Sequence, residues 1–215
     1  MNRTLLIDNG HGKNTPGKCS PLSADGTRFY EWEFTRRVAK RIMELAPDKK
    51  LKVVLLVPED EDIPLSTRAA RANSYISQHP DEECVFVSIH GNAAGNGQQW
   101  MSARGWEIWT TVGKTNSDIL SDHIAKAARD VLPYGTKFRE DKTDGDCDKE
   151  KNFTVIYKTK CPAVLTENFF YDNIQDCSYM KSDEGVDTIA MLHLVGVIRY
   201  FDYLEFYRNH GRADI

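Results

Sequence analysis

Two apolar runs that end alike constrain this 215-residue chain more than any other feature. Leu5-Leu6-Ile7 stops at Asp8-Asn9-Gly10-His11-Gly12, and Val85-Phe86-Val87-Ser88-Ile89 stops at His90-Gly91-Asn92. Short apolar runs of this kind suit buried strands, and Asp-Asn-Gly favours a turn. Each histidine is therefore expected at the C-terminal edge of a strand, in the crevice where open α/β sheets bind ligands. The glycines flanking His11 are expected to give the backbone unusual conformations and to leave space beside the imidazole. One such histidine reads equally well as a turn residue without a role; the recurrence is what points to a site.

The rest of the chain alternates in the same style. A loop rich in Gly, Pro, Ser and Asn covers 13–28, and a helix is predicted over 31–46, with Phe34, Val38, Ile42 and Leu45 on one face and Pro47 ending it. A second strand, apolar enough to be buried on both sides, is predicted over 51–57. A helix follows over 64–78, then the strand that delivers His90. An alternating strand covers 105–110, with Trp106, Ile108 and Thr110 on one face. The helix predicted over 117–132 has Ser117 as its cap and Asp118 in its first turn. A charged loop spans 139–152, a short strand over 163–166 delivers Glu167, and an amphipathic helix runs from 183 to about 207. Strands alternating with helices predict a single α/β domain over 1–215, with a twisted, mostly parallel sheet and helices on both faces.

Composition narrows the function. A hydrophobic content of 40% suffices for a core, and a net charge of -4 argues against a nucleic-acid partner bound by phosphate neutralisation. No apolar run approaches the roughly 20 residues of a membrane span. Met1-Asn2-Arg3-Thr4 leads straight into the first strand, so the expected location is either the cytoplasm or, if an export signal has been trimmed, a place beyond it. Cys19, Cys84, Cys147, Cys161 and Cys177 form no Cys-x-x-Cys pair, which leaves room for one isolated bridge and for no disulfide framework.

The chemistry collects where the predicted strands end, at His11, His90 and Glu167, with Glu31 and Glu33 opening the first helix. Two neutral imidazoles and a carboxylate commonly hold zinc and leave a coordination position for water. A further carboxylate outside the metal's reach can then move protons. Without more, the same residues also read as turn histidines and as helix-start carboxylates favoured by the dipole. His193 lies on an apolar helical stripe and is expected to be a satisfied core histidine, while His79, His123 and His210 suit surface positions. Asp144, Asp146 and Asp148 imitate a calcium loop, but Lys149 stands where such loops need glycine, so a solvated charge run is expected. Trp100, Trp106 and Trp109 suit either a ligand-facing wall or, for at least one of them, the core.

Several motifs occur in one order: Asp8-Asn-Gly-His11-Gly, Glu31 at a helix start, Leu65-Ser-Thr-Arg68-Ala-Ala-Arg-Ala72-Asn73, Ser88-Ile-His90-Gly-Asn92-Ala and Pro162-Ala-Val-Leu-Thr-Glu167-Asn-Phe-Phe. That series resembles the zinc-dependent N-acetylmuramoyl-L-alanine amidases of the amidase-3 type, from residue 5 to about 200. The resemblance implies one catalytic Zn2+ and hydrolysis of the amide between N-acetylmuramic acid and L-alanine in peptidoglycan. It makes His11, Glu31 and His90 the metal ligands, Glu31 being preferred to Glu33 by its distance from Ala39-Lys40-Arg41. It also makes Glu167 the proton-transferring glutamate. Asn92 is expected either to orient His90 or to touch substrate, and Arg68 and Asn73 to serve structural hydrogen bonding.

Some relatives carry an inserted helix that blocks the zinc until a partner removes it. The span 106–167 holds one clear helix and a polar loop, so an open site needing no regulatory partner is expected. Action on a peptidoglycan or muropeptide substrate would place the chain in the periplasm or outside the cell, if it is exported or released. The rival expectations are a catalytically silent peptidoglycan- or peptide-binding module and another zinc amide hydrolase, such as a peptidase or deacetylase.

Overall fold

The alternating pattern produces twelve elements: β1 (Asn2–Asn9), α1 (Glu31–Leu45), β2 (Lys52–Leu55), α2 (Leu65–Gln78), β3 (Glu82–Asn92), β4 (Trp106–Thr110), α3 (Asn116–Val131), β5 (Lys149–Glu150), α4 (Thr154–Tyr157), β6 (Ala163–Phe170), α5 (Ile174–Lys181) and α6 (Asp183–His210). They are seen in a computed structural model that describes residues 2–46, 51–143 and 145–211. The strands form one six-stranded sheet in the order β2-β1-β3-β6-β4-β5. β1 pairs in parallel with β2 and β3, and β3 with β6, whereas β4 runs antiparallel to β6 and parallel to β5.

Helices cover both faces, as the apolar central strands require. On one face Leu5, Ile7, Val85, Val87 and Val164 pack under α1, α3 and α6 through Phe34, Val38, Leu120, Ile124, Val197 and Phe201. On the other, Leu6, Phe86 and Leu165 meet Ala72 of α2 and Val155 and Ile156 of α4. From β1 the chain crosses to β2 on one side and then returns past β1 to β3 on the other. That reversal opens a crevice at the C-terminal ends of β1 and β3. No helix among the described residues is long and apolar enough to cross a membrane.

Several local expectations need correction. β2 is an edge strand, and Val53, Val54 and Leu55 are only half-buried because a single neighbouring strand flanks them. Thr115, not Ser117, caps α3: its side chain accepts from the Ser117 backbone while the Asp118 carboxylate reaches back to the Thr115 N–H. The Ser117 hydroxyl instead accepts from the Ala163 N–H at 3.0 Å. The charged loop contains β5, and within it Asp148 is buried rather than solvated, accepting hydroxyls from Thr110 at 2.5 Å and Ser121 at 2.9 Å. Pro47 and Asp144 lie outside the described residues. The short helices α4 and α5 escape prediction because neither is long enough to show a period. All five cysteines are free.

Candidate metal centre

Beyond β1 the Gly10 N–H still donates to the Ile89 carbonyl at 2.9 Å, so the turn stays beside β3. His11 then takes a left-handed backbone, φ 60°. Such a conformation costs a non-glycine residue of order 1 kcal/mol or more and persists only where neighbours enforce it. Arg36 and Arg68 do so, each donating to the His11 carbonyl at 3.2 Å. The flanking glycines serve close approach instead of strain. A Cβ on Gly10 would stand 2.3 Å from the His90 ring, and one on Gly12 would stand 2.0 Å from the Asp62 backbone nitrogen.

Two imidazoles and a carboxylate converge here. His11 Nε2 lies 3.4 Å from Glu31 Oε2 and His90 Nδ1 lies 3.1 Å from Glu31 Oε1. One ligand atom from each residue falls within 4.8 Å of the others. Glu31 opens α1 with its side chain turned inward and fully buried, while Glu33 on the same turn is exposed. The Gly91 N–H donates to Glu31 Oε1 at 3.0 Å, but the buried Oε2 accepts no hydrogen bond. A buried carboxylate oxygen without a hydrogen bond, facing two imidazoles and only distantly paired with Lys18 Nζ at 3.9 Å, fits a zinc ion by donor type and spacing. Burial pushes the His11 imidazole down to about 4, leaving it neutral as a ligand must be. Burial also opposes charge on His90 and Glu31, but their mutual bond prevails, raising the histidine and lowering the carboxyl.

A hydrogen-bond chain behind His90 sets its tautomer. His90 Nε2 lies 3.1 Å from Ser88 Oγ, and that hydroxyl donates its single proton to Asp8 Oδ2 at 2.6 Å. Ser88 Oγ must therefore accept from Nε2–H, which in the neutral imidazole leaves the lone pair on Nδ1, towards Glu31. Two acceptors 3.1 Å apart need a proton or a cation between them. Asp8 is held in turn by Arg68, which is 1% exposed and also binds Asp62 and the Ile63, Asn9 and His11 carbonyls. Arg68 thus has the structural part expected of it. Asn73 likewise pins the segment after α4 through the Lys158 carbonyl and the Lys160 N–H.

Glu167 of β6 stands in register with His90 of β3 on one side and Glu107 of β4 on the other. Paired residues share a sheet face, so Glu167 opens onto the same crevice. Its Oε2 is buried without a hydrogen bond. Burial pushes its carboxyl up to about 8; Glu31 and Glu107 add to the rise and His90 opposes it. A cavity of about 260 Å³ lies beside His11 and His90, with Thr15, Asp62 and Leu65 in its wall.

Other expected residues sort themselves cleanly. The Asn92 amide donates to Glu107 Oε1 at 2.9 Å and accepts from Ala93, so Glu31 and Ser88, not Asn92, orient His90. His193 is a core residue between Thr166 Oγ1 and the Ile189 carbonyl. Trp106 is core, Trp109 is half-buried against Glu107, and His79, His123 and His210 lie away from the centre. Sequence reasoning missed Glu107, whose only signal was an acid within an otherwise bulky strand.

Known proteins agree with this architecture. The N-acetylmuramoyl-L-alanine amidase CwlM of Bacillus licheniformis is 31% identical over 203 residues, covering 92% of this chain and 68% of that one. The endolysin of Bacillus phage SPP1 is 28% identical, covering 92% and 65%. The chain thus spans about two thirds of the length of these relatives. The crystal structure of an N-acetylmuramoyl-L-alanine amidase from Clostridium difficile 630 superposes with a TM-score of 0.76 at 27% identity, covering 94% of this chain and 98% of that one. Since residues 5–199 match the amidase-3 family, the chain belongs to the N-acetylmuramoyl-L-alanine amidases.

Proposed function

We propose that this chain is a zinc-dependent hydrolase cleaving the amide between the lactyl group of N-acetylmuramic acid and L-alanine in peptidoglycan. The observation that carries the reading is the buried Glu31 carboxylate between His11 and His90, its Oε2 without a hydrogen bond, with Glu167 in register beside them. His11, Glu31 and His90 would hold one zinc ion, and the metal when bound would polarise the scissile carbonyl and acidify a water.

The chain's own residues do the rest. Ser88, Asp8 and Arg68 hold the proton of the neutral His90 ring on Nε2 and aim Nδ1 at the site. Glu167 takes the proton of the attacking water and returns it to the departing alanine nitrogen. Asn92 steadies Glu107 at the edge of the same crevice. Peptidoglycan fragments are the substrate, and the site needs no activating partner. The place of action is the periplasm or cell exterior, reached by export or release.

Digestion of purified cell wall tests this. New alanine amino termini without new reducing sugar ends are expected. Reducing ends would indicate a glycosidase, and bound zinc without any product would indicate a silent binding module.

A further inference from the structure

Glu107 is 4% exposed and sits on β4 directly opposite Glu167. Four donors converge on its carboxylate. Asn92 Nδ2 at 2.9 Å and Trp109 Nε1 at 3.2 Å reach Oε1, while Arg139 Nε at 2.8 Å and Lys149 Nζ at 2.7 Å reach Oε2. One buried negative charge thus fixes two positive ones, and the cluster is left with a net positive charge beside the crevice.

Arg139 commits only part of its guanidinium. Its Nε goes to Glu107, its Cζ lies 5.0 Å over the Phe170 ring, and its terminal nitrogens make no hydrogen bond among the described residues. Phe170 pairs with Asn92 at the C-terminal ends of β6 and β3, so Arg139 stands on the rim that presents His90 and Glu167. The side chain keeps 30% of its surface open, and Lys149 keeps 21%. A guanidinium oriented by one bond and one ring, with its terminal edge open, is preorganised for a carboxylate.

We infer that Arg139, aided by Lys149, is the receptor for a free carboxylate on the peptide part of the substrate. This rests on the amidase reading of the same site and adds a direction to it. In an N-acetylmuramoyl peptide the lactyl carboxyl is consumed in the scissile amide, so the sugar is uncharged and every free carboxylate belongs to the peptide. The leaving peptide therefore lies towards β4 and β5. Glu107 is a positioning residue: it touches no substrate but sets where both cations stand.

Two compounds decide the matter: N-acetylmuramoyl-L-alanyl-D-glutamate, with both glutamate carboxylates free, and its diamide, N-acetylmuramoyl-L-alanyl-D-glutaminamide, with neither. The zinc-loaded wild-type chain is expected to prefer the acid by roughly tenfold or more, both in kcat/KM and in calorimetric affinity. Arg139→Gln should bring that ratio towards one, Arg139→Lys should restore part of it, and Lys149→Gln should reduce it less. Thermal melts of each variant check that the fold is kept. Equal affinity of the wild type for both compounds, or a preference that survives in Arg139→Gln, overturns the inference. Unequal binding without cleavage of either compound overturns the amidase reading and leaves the receptor standing. Failure to bind either one overturns both.

Discussion

His11 carries a strained backbone so that Gly10 can lie against the His90 ring, and the arrangement tolerates no added atom there. Gly10→Ala places a methyl group where the imidazole stands, 2.3 Å from its nearest atom. The expected result is a zinc affinity at least tenfold weaker with the core unchanged, read by competition against a chromophoric chelator alongside a thermal melt. The ligands and the proton carrier should separate in the same assay. His90→Ala is expected to lose both metal and turnover. Glu167→Ala is expected to keep the metal and lose turnover by a factor on the order of a hundred or more, the size typical of general acid–base groups. Equal metal loss in the two variants would contradict the separate parts assigned to them. Both histidines and Glu167 stood out in the sequence because each ends an apolar run, whereas Glu31 was set apart from Glu33 only by the family resemblance. Glu107 did not stand out, since Arg139 and Lys149 reach it from far along the chain and nothing local marks it as buried.

At the scale of elements, long amphipathic helices and apolar strands were readable from their periods, and what failed were features set by neighbours. Nothing in Leu51 to Val57 says that β2 will be an edge, because the sheet order is decided by other strands. Asp148 shows the same limit. It looked like one acid in a solvated run, yet β4 and α3 enclose it. Burial pushes its carboxyl up to about 7 and the nearby Asp146 and Asp118 add to that, against the two hydroxyl bonds from Thr110 and Ser121. The folded state therefore holds a proton that the unfolded chain releases near its ordinary value of 3.8. Between those values the fold is the state that binds more protons, so this group's contribution falls as pH rises from about 4 to about 7. Asp148→Asn, which cannot ionise, should gain on the wild type by up to about 1 kcal/mol per pH unit across that window. Urea unfolding at pH 4.5, 6 and 7.5 measures the gap; parallel curves for the two proteins would show that Asp148 ionises freely in the fold.

For the whole molecule, the site's placement follows from the reversal of chain direction between β1 and β3. That topology brings a turn, a helix start and two strand ends to one rim, although His11 and Glu167 are far apart in sequence. Both hydrophobic clusters close through apolar side chains of helices and strands, so the core is expected to form without a metal. A bound ion would nevertheless tie β1, α1 and β3 together, and any ligand of the folded state stabilises it by mass action. At a thousandfold excess over its dissociation constant the gain is about 4 kcal/mol. For a chain of this size that corresponds to a melting shift on the order of 10 °C. Chelator treatment should leave a folded protein with one cooperative transition at lower temperature, and zinc should restore the higher one. Glu167→Ala should show the full shift because its carboxylate lies outside the ligand set. His90→Ala should show none, since only two ligands remain. A chain that unfolds on chelation would mean the metal is structural, and a zinc shift retained in His90→Ala would place the ion elsewhere.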